Sequence, residues 1–276
     1  MSISNKVSVI VPTKNSERTL AACLLSIRNQ THQPVEIVVV DRASGDNTVS
    51  IAKQFADIIA TKEPERSAQR NEGVRLAHGE FIAIIDSDMY LTPEVIAACV
   101  SALKNDPTAA GVTIPEKSIG NGFWASCKQL ERSFYVGIPW MEGARFFCRA
   151  DFIALGGYDE TLVSGEDWDL SQRFEKMGKI LRVNEFILHD EGELKLSKIL
   201  QKKWYYAIKF AKYTAKKEHT IKTTKQISFI RRFALFLSAP KKLFRRPLVG
   251  VGMLFMKTCE FATGGLGYCI GILKRD

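Results

Sequence analysis

Three short runs of branched apolar residues, VSVIV (7–11), EIVVV (36–40) and FIAII (81–85), punctuate the first third of the chain. Runs that are continuous rather than alternating predict strands covered on both faces. Between them the period changes. From 17 to 30, Leu20, Cys23, Leu24 and Ile27 recur at helical spacing, and residues 47–55 and 67–77 predict two further helices. Strand, helix and strand in series imply right-handed crossovers and a mainly parallel sheet, so the fold class is α/β. Ligands of such sheets bind at the carboxyl ends of the strands. Polar clusters stand at all three ends: PTKNSE after the first, DRASGDNT after the second and DSD after Ile85.

The DSD cluster sets a chemical problem. By strand rise, Asp86 and Asp88 lie about 6 to 7 Å apart along the chain, and two carboxylates so placed repel unless a cation sits beside them. A hard, oxygen-seeking ion such as Mg²⁺ or Mn²⁺, itself bridging phosphates, answers that need. The plainer alternative is a solvated turn, or a cap for a helix beginning near Pro93.

In their order along the chain, VSVIVPTKN, VVVDRASGDNT, RSAQRNEGVRLAHGEFIAIIDSDMYLTPE, GGYDETLVSGEDWDLSQR and ILHDEG resemble the motifs of the family 2 glycosyltransferases. The likeness covers about residues 6–193. It implies the GT-A fold, a Rossmann-like α/β domain that binds a nucleotide sugar. Carried over residue by residue, it implies that Pro12, Thr13, Asn15 and Glu17 line the nucleotide pocket. Asp41 would meet the base or ribose with Ser44 nearby, and Arg70 and Asn71 would face the nucleotide from the third helix. Asp86, beside Ser87, would hold the ribose or metal; Asp88 would ligate Mn²⁺ or Mg²⁺ on the diphosphate, with His189 as a late ligand. The bland alternatives are caps or turn formers for Asn15 and Ser44, a surface cation for Arg70 and a structural histidine for His189.

Displacing a nucleoside diphosphate from an anomeric carbon needs a base for the acceptor hydroxyl and a cation for the leaving group. Asp167 is the expected base, since the amino end of the helix through Leu170, Phe174 and Met177 favours its ionised form. Glu166 would orient it or the acceptor, and Asp169 is the second candidate. A single in-line displacement implies an inverting transferase. Residues 115–157 are expected to build the acceptor side, where Trp140 follows Pro139 in a predicted loop.

Charge divides the chain. Of 276 residues, 39 are Lys or Arg and 30 Asp or Glu; residues 1–194 carry 20 and 27 of these, residues 195–276 carry 19 and 3. An acidic body, 1–194, therefore precedes a basic tail, 195–276. Within KLSKILQKKWYYAIKFAKYTAKK, Leu196, Ile199, Leu200, Ala207, Ile208 and Ala211 form an apolar face with lysines on another, as in helices that lie on anionic membranes. Interleaved aromatic and aliphatic residues favour lipid over nucleic acid. Residues 248–273 would make a helix about 39 Å long, but Lys257 and Glu260 interrupt it, each costing about 2.5 to 3.5 kcal/mol at a bilayer centre. In-plane or re-entrant helices are therefore expected rather than a clean span, the two charges partly neutralising each other at i, i+3. Six cysteines without C-x-x-C spacing predict reduced, mostly buried thiols. The start MSISNKVSVIVPTKN carries no secretory pattern, so the cytoplasmic face of the membrane is the expected location.

Some membrane relatives carry Q-x-x-R-W after the catalytic carboxylate; here LQKKW places Leu200 where that glutamine stands. The expectation is single transfer from a UDP-sugar donor to a polyprenyl-phosphate or polyprenyl-diphosphate acceptor. The alternatives are a soluble or polysaccharide acceptor, or a nucleotide-sugar-binding scaffold without turnover.

Overall fold

The computed structural model describes residues 5–216 and 220–274. In chain order the elements are β1 (Val7–Thr13), α1 (Leu20–Arg28), β2 (Val35–Asp41), α2 (Thr48–Phe55), β3 (Ile58–Thr61), α3 (Arg66–Leu76), β4 (Phe81–Ile84), β5 (Met89–Leu91), α4 (Val95–Asn105) and β6 (Ala109–Thr113). There follow β7 (Glu116–Asn121), α5 (Phe123–Ser133), β8 (Ala144–Cys148), α6 (Arg149–Ala154), α7 (Glu166–Glu175), β9 (Lys179–Arg182) and β10 (Ile187–Glu193). Helices α8 (Leu196–Thr214), α9 (Thr220–Ile227), α10 (Phe229–Leu237), α11 (Pro240–Leu243) and α12 (Pro247–Leu273) complete the chain.

The chain forms two compact units, one of Met1–Glu116, Gly143–Glu160 and Glu166–Asp190, the other of Lys117–Glu142, Thr161–Gly165 and Glu191–Asp276. Charge sets the expected division at 194, whereas packing gathers residues 117–142 with the C-terminal helices.

In the first unit a seven-stranded sheet runs β3-β2-β1-β4-β8-β6-β9. β1 pairs parallel with β2 and β4, and β2 parallel with β3; β8 is antiparallel to both neighbours, and β6 pairs parallel with β9. Every residue of β1 and β2 is buried, as continuous apolar runs require. Alternate side chains feed two cores. Val9, Val11, Ile37 and Val39 pack with Leu20, Leu24 and Ile27 of α1 and Val95 of α4. Ile10, Val38, Val40 and Ile84 pack with Val74 of α3 and with Leu170 and Phe174 of α7. Gly73 lets α3 sit this close, since a Cβ there would stand 2.3 Å from Ile10 Cγ2.

In the second unit Cys127, Tyr135, Ile199, Phe236, Leu243, Met253 and Met256 form a core shared by α5, α8, α10, α11 and α12. The face of α8 expected to enter a headgroup layer is largely spent here: Ile199, Ala207 and Ala211 are buried. Glycines bring α12 onto α8, for a Cβ at Gly271 would stand 2.3 Å from the Ile208 carbonyl oxygen. α12 is one unbroken helix, and among the described residues no helix is long and apolar enough to cross a membrane. Its charges are internal. Lys257 Nζ lies 2.6 Å from both Glu260 and Glu131, and Lys128 Nζ lies 2.8 Å from Glu131 and 3.2 Å from Glu260. All six cysteines are free thiols, three of them buried.

Candidate active site

The loops that leave β1 and β2 are tied to each other. Asp41 is only 2% exposed, and its carboxylate accepts from Thr13 Oγ1 (2.8 Å), Ser44 N (2.7 Å) and Ser44 Oγ (2.6 Å). Asn15 N donates to Ser44 Oγ at 2.8 Å, and Asn15 Oδ1 accepts from Gly45 N at 3.0 Å. Glu17 Oε2 accepts from the backbone and side chain of Asn47 at 3.1 and 3.2 Å. Asn15 and Ala43 sit at φ of 47° and 46°. For alanine the left-handed region costs about 1 kcal/mol, offset here by Lys14 Nζ donating to the Arg42 and Ala43 carbonyls at 2.7 and 2.8 Å. Pro12 and Thr13 end β1 beside this loop. Asp41, expected to meet base or ribose, shapes the loop through these three hydrogen bonds, of which Oδ2 takes only one.

Behind this loop α3 presents two arginines one turn apart. Arg70 is fully buried and reaches Asp86 Oδ1 (2.7 Å), Asp167 Oδ1 (2.9 Å) and Glu166 Oε1 (3.4 Å). Arg66 reaches the same Glu166 oxygen at 3.3 Å. From β8, Arg145 reaches Glu116 (3.0 Å), Asp86 (3.6 Å) and Asp167 (3.9 Å). The Tyr158 hydroxyl donates to Asp167 Oδ1 at 3.1 Å, and its ring centroid lies 5.0 Å from Arg70 Cζ. Burial alone would raise the Asp86 carboxyl, but Arg70 and Arg145 hold it well below the ordinary carboxylate range. Glu166 goes the other way, pushed up by burial and by the Asp167 charge beside it. Asp167 is the most open of these carboxylates, its side chain 30% exposed against 15% for Asp86, 18% for Glu116 and 6% for Glu166.

Asp86 and Asp88 therefore face different partners. Asp88, 38% exposed, lies with Oδ2 3.4 Å from His189 Nε2, while His189 Nδ1 faces Glu116 Oε2 at 3.4 Å. β10 carries His189 to this position by pairing it with Met89 of β5, next to Asp88. Among the described residues no group of three or more His, Cys, Asp or Glu side chains is arranged to hold a metal by itself. The pair nevertheless suits a divalent ion completed by ligand oxygens. It offers one hard oxygen and one imidazole nitrogen, with a carboxylate behind the imidazole to fix its tautomer.

Other expected residues are placed differently. The side-chain amide of Asn71 is engaged by Tyr158, donating to its carbonyl and accepting from its N–H, both at 2.9 Å. Asp169, the second candidate for the base, is fully buried and paired with Arg173 Nε at 2.9 Å. Ser87 Oγ lies 2.8 Å from Ser16 Oγ. Trp140 belongs to the second unit, half-buried, with Arg232 Cζ 5.5 Å from its ring. Sequence reasoning misses Arg145, Glu116, Arg66 and Tyr158. The signal for Arg145 was a charged residue at the head of an otherwise apolar strand, ARFFC.

Residues 8–156 match the family model described as Glycosyl transferase family 2. A protein described as putative glycosyltransferase EpsH, from Bacillus subtilis (strain 168), is 38% identical over 94 residues, 32% of this chain and 27% of that protein. The chondroitin synthase of Escherichia coli is 24% identical over 203 residues, 67% of this chain and 29% of that protein. The chain thus spans less than a third of the length of these two relatives. Among solved structures, a mannosyltransferase, PcManGT from Pyrobaculum calidifontis in complex with GDP-Man and Mn²⁺, shares the fold with a TM-score of 0.65. The match covers 95% of this chain and 86% of that one at 17% identity.

Proposed function

The chain belongs to glycosyl transferase family 2, and from that premise we propose that it moves a sugar from a nucleotide donor, UDP-linked, to a lipid-linked acceptor, inverting the anomeric centre. The observation that carries this reading is Asp167: an open carboxylate at the start of α7, oriented by Arg70 and Tyr158, within one cluster with Asp86. The acceptor oxygen attacks the anomeric carbon as its proton passes to Asp167. The bond from that carbon to the diphosphate oxygen breaks, and its electron pair leaves with the nucleotide. Arg70 and Tyr158 occupy one Asp167 oxygen and fix the direction of the other, which is the positioning that general-base catalysis needs. The Thr13, Asn15 and Ser44 loop receives the nucleotide, with Glu17 on its rim, and Arg66 holds Glu166 beside the base.

Mn²⁺ or Mg²⁺ on Asp88 and His189 would neutralise charge developing on the diphosphate. Imidazole is a better ligand for Mn²⁺ than for Mg²⁺, and Mn²⁺ accompanies GDP-Man in the mannosyltransferase. Single transfer is supported by Leu200 in place of the expected glutamine, and a lipid-borne acceptor at the cytoplasmic face by the basic tail. A polysaccharide acceptor is the second reading, favoured by the likeness to chondroitin synthase.

The test is a transfer assay with UDP-sugars and GDP-mannose, offering polyprenyl phosphate or a glycan oligosaccharide as acceptor. The expectation is transfer to the polyprenyl acceptor that EDTA abolishes and Mn²⁺ restores. Turnover that resists EDTA would remove Asp88 and His189 from a metal role. Transfer to the oligosaccharide alone would establish the second reading instead.

A further inference from the structure

Helix α12 gives Met253 and Met256 to the core and turns its charges inward as well. In a soluble protein the inward face of a helix is apolar and the outward face carries the charge. Here the two charged residues between 247 and 273, Lys257 and Glu260, are 6% and 4% exposed and face inward with Gly250, Gly264, Gly267 and Gly271. The outward stripe holds Leu248, Val251, Phe255, Leu266, Ile272 and Leu273, with Leu248 81% and Leu273 78% exposed. The exposed positions that complete the stripe, Thr258, Ala262, Gly265 and Cys269, are uncharged as well. At 27 residues the stripe extends for about 40 Å. That is a longer uncharged surface than scattered exposed apolar residues produce.

The charges at its ends indicate what covers it. Lys241, Arg245 and Arg246 are exposed just before the stripe begins, and Lys274 just after it ends. From 220 to 274 the single acidic residue is Glu260, which is buried against Lys257 and Lys128. A long apolar stripe with cations at both ends and, among the described residues from 220 on, no exposed carboxylate matches the boundary between the acyl chains and the headgroups of an anionic bilayer. A water-soluble protein partner would supply polar complements along such a length, and none are called for here.

We propose that α12 lies along an anionic phospholipid surface, with the stripe from Leu248 to Leu273 in the acyl boundary and Arg245, Arg246 and Lys274 among the phosphates. This face differs from the one on α8 that periodicity marks out, because the apolar side of α8 is consumed by contact with α12 itself. The inference deepens the reading above, on which it rests for the choice of a lipid-borne acceptor. Its test needs neither donor nor acceptor, so the two stand or fall separately.

The full chain is floated with vesicles of mixed phosphatidylglycerol and phosphatidylcholine and with phosphatidylcholine alone. It is expected to rise with the mixed vesicles and to do so much less with the neutral ones. Leu248→Ser, Val251→Ser and Phe255→Ser combined should weaken partitioning at least about tenfold. Because all three side chains are on the surface, the thermal melt and UDP binding of that variant should stay at the wild-type level. Arg245→Ala with Arg246→Ala should make binding weaker and less sensitive to salt. A triple variant that floats like the wild type, or a wild-type chain that stays down with both vesicles, overturns the proposal. So does a wild-type dimer in sedimentation that the triple variant converts to monomer without any vesicle binding, since the stripe would then be covered by a second copy.

Discussion

Tyr158 in the first unit and Tyr135 in the second make the same contacts in different company. Each donates its hydroxyl to a carboxylate, Asp167 at 3.1 Å and Glu131 at 2.6 Å, and each ring lies about 5 Å from an arginine, Arg70 at 5.0 Å and Arg232 at 4.9 Å. Around Tyr135 the ion pairs are closed: Lys128 and Lys257 pair with Glu131 and Glu260, each of these four side chains is at most 19% exposed, and the buried Arg232 donates to the tyrosine hydroxyl. Around Tyr158 the group is open. Arg66, Arg70 and Arg145 stand against Asp86, Glu116, Glu166 and Asp167, with Asp88 alongside, and the outer members open to solvent. A closed cluster of ion pairs holds helices together without giving up a charge. An open cluster with surplus carboxylate invites a cation and leaves one group to exchange protons.

The largest effect that separates the two is expected at Asp167. Asn keeps the shape and can still accept one hydrogen bond, but it cannot take a proton. Asp167→Asn should lower transfer by at least about 10³-fold, with donor binding retained. Because Arg70 keeps Asp86 and Glu166 as partners, the melting temperature should hold or rise. A variant that still turns over would remove Asp167 as the base. One that unfolds would show this cluster to be structural, like its counterpart.

In the second unit the same logic predicts the reverse pattern. Lys257→Met leaves Glu131 and Glu260 buried with one ammonium, that of Lys128, in contact with both, a loss of compensation that costs about 3 kcal/mol or more. Lys257→Met with Glu260→Met keeps the balance and should recover most of that loss, since well-packed apolar residues commonly replace a buried pair at no net cost. Denaturant unfolding of both variants measures it. A double variant as unstable as the single one would mean that the pair itself, rather than charge balance, holds α12 in place.

Part of this contrast is legible in the sequence, and the reason it stops is physical. The runs at 7–11, 36–40 and 81–85 read as strands because burial on both faces demands continuous apolar residues. The antiparallel entry of β8 between β4 and β6 leaves no such mark, because it depends on pairing across more than sixty residues to β4 and more than thirty to β6. Asp86, Asp88, Asp167 and His189 stand in recognisable motifs, whereas Arg145 joins the cluster through that strand order and Glu116 from the start of β7. Lys257 and Glu260 read as interruptions of an apolar segment, since their partners Glu131 and Lys128 lie more than 120 residues away.

The smallest predicted effect compares the two tyrosines directly. Burial, and then the neighbouring carboxylate, hold both hydroxyls well above their ordinary range, so each stays a donor across the working pH. In Tyr135→Phe the buried Arg232 loses an acceptor 2.9 Å away, and Glu131 loses a donor. That should cost about 1.5 to 3 kcal/mol of stability, the usual range for hydrogen bonds to charged groups, with kcat per folded molecule unchanged. In Tyr158→Phe water can reach the partly exposed Asp167 and replace the hydroxyl, so stability should change by less than about 1 kcal/mol. Its effect should fall on the reaction. Losing a donor from one Asp167 oxygen frees the side chain to turn, a loss of about fivefold in kcat if about 1 kcal/mol of positioning goes with it. A purely structural tyrosine would leave kcat per folded molecule where it is, and an unchanged kcat in Tyr158→Phe would place both tyrosines in the same class.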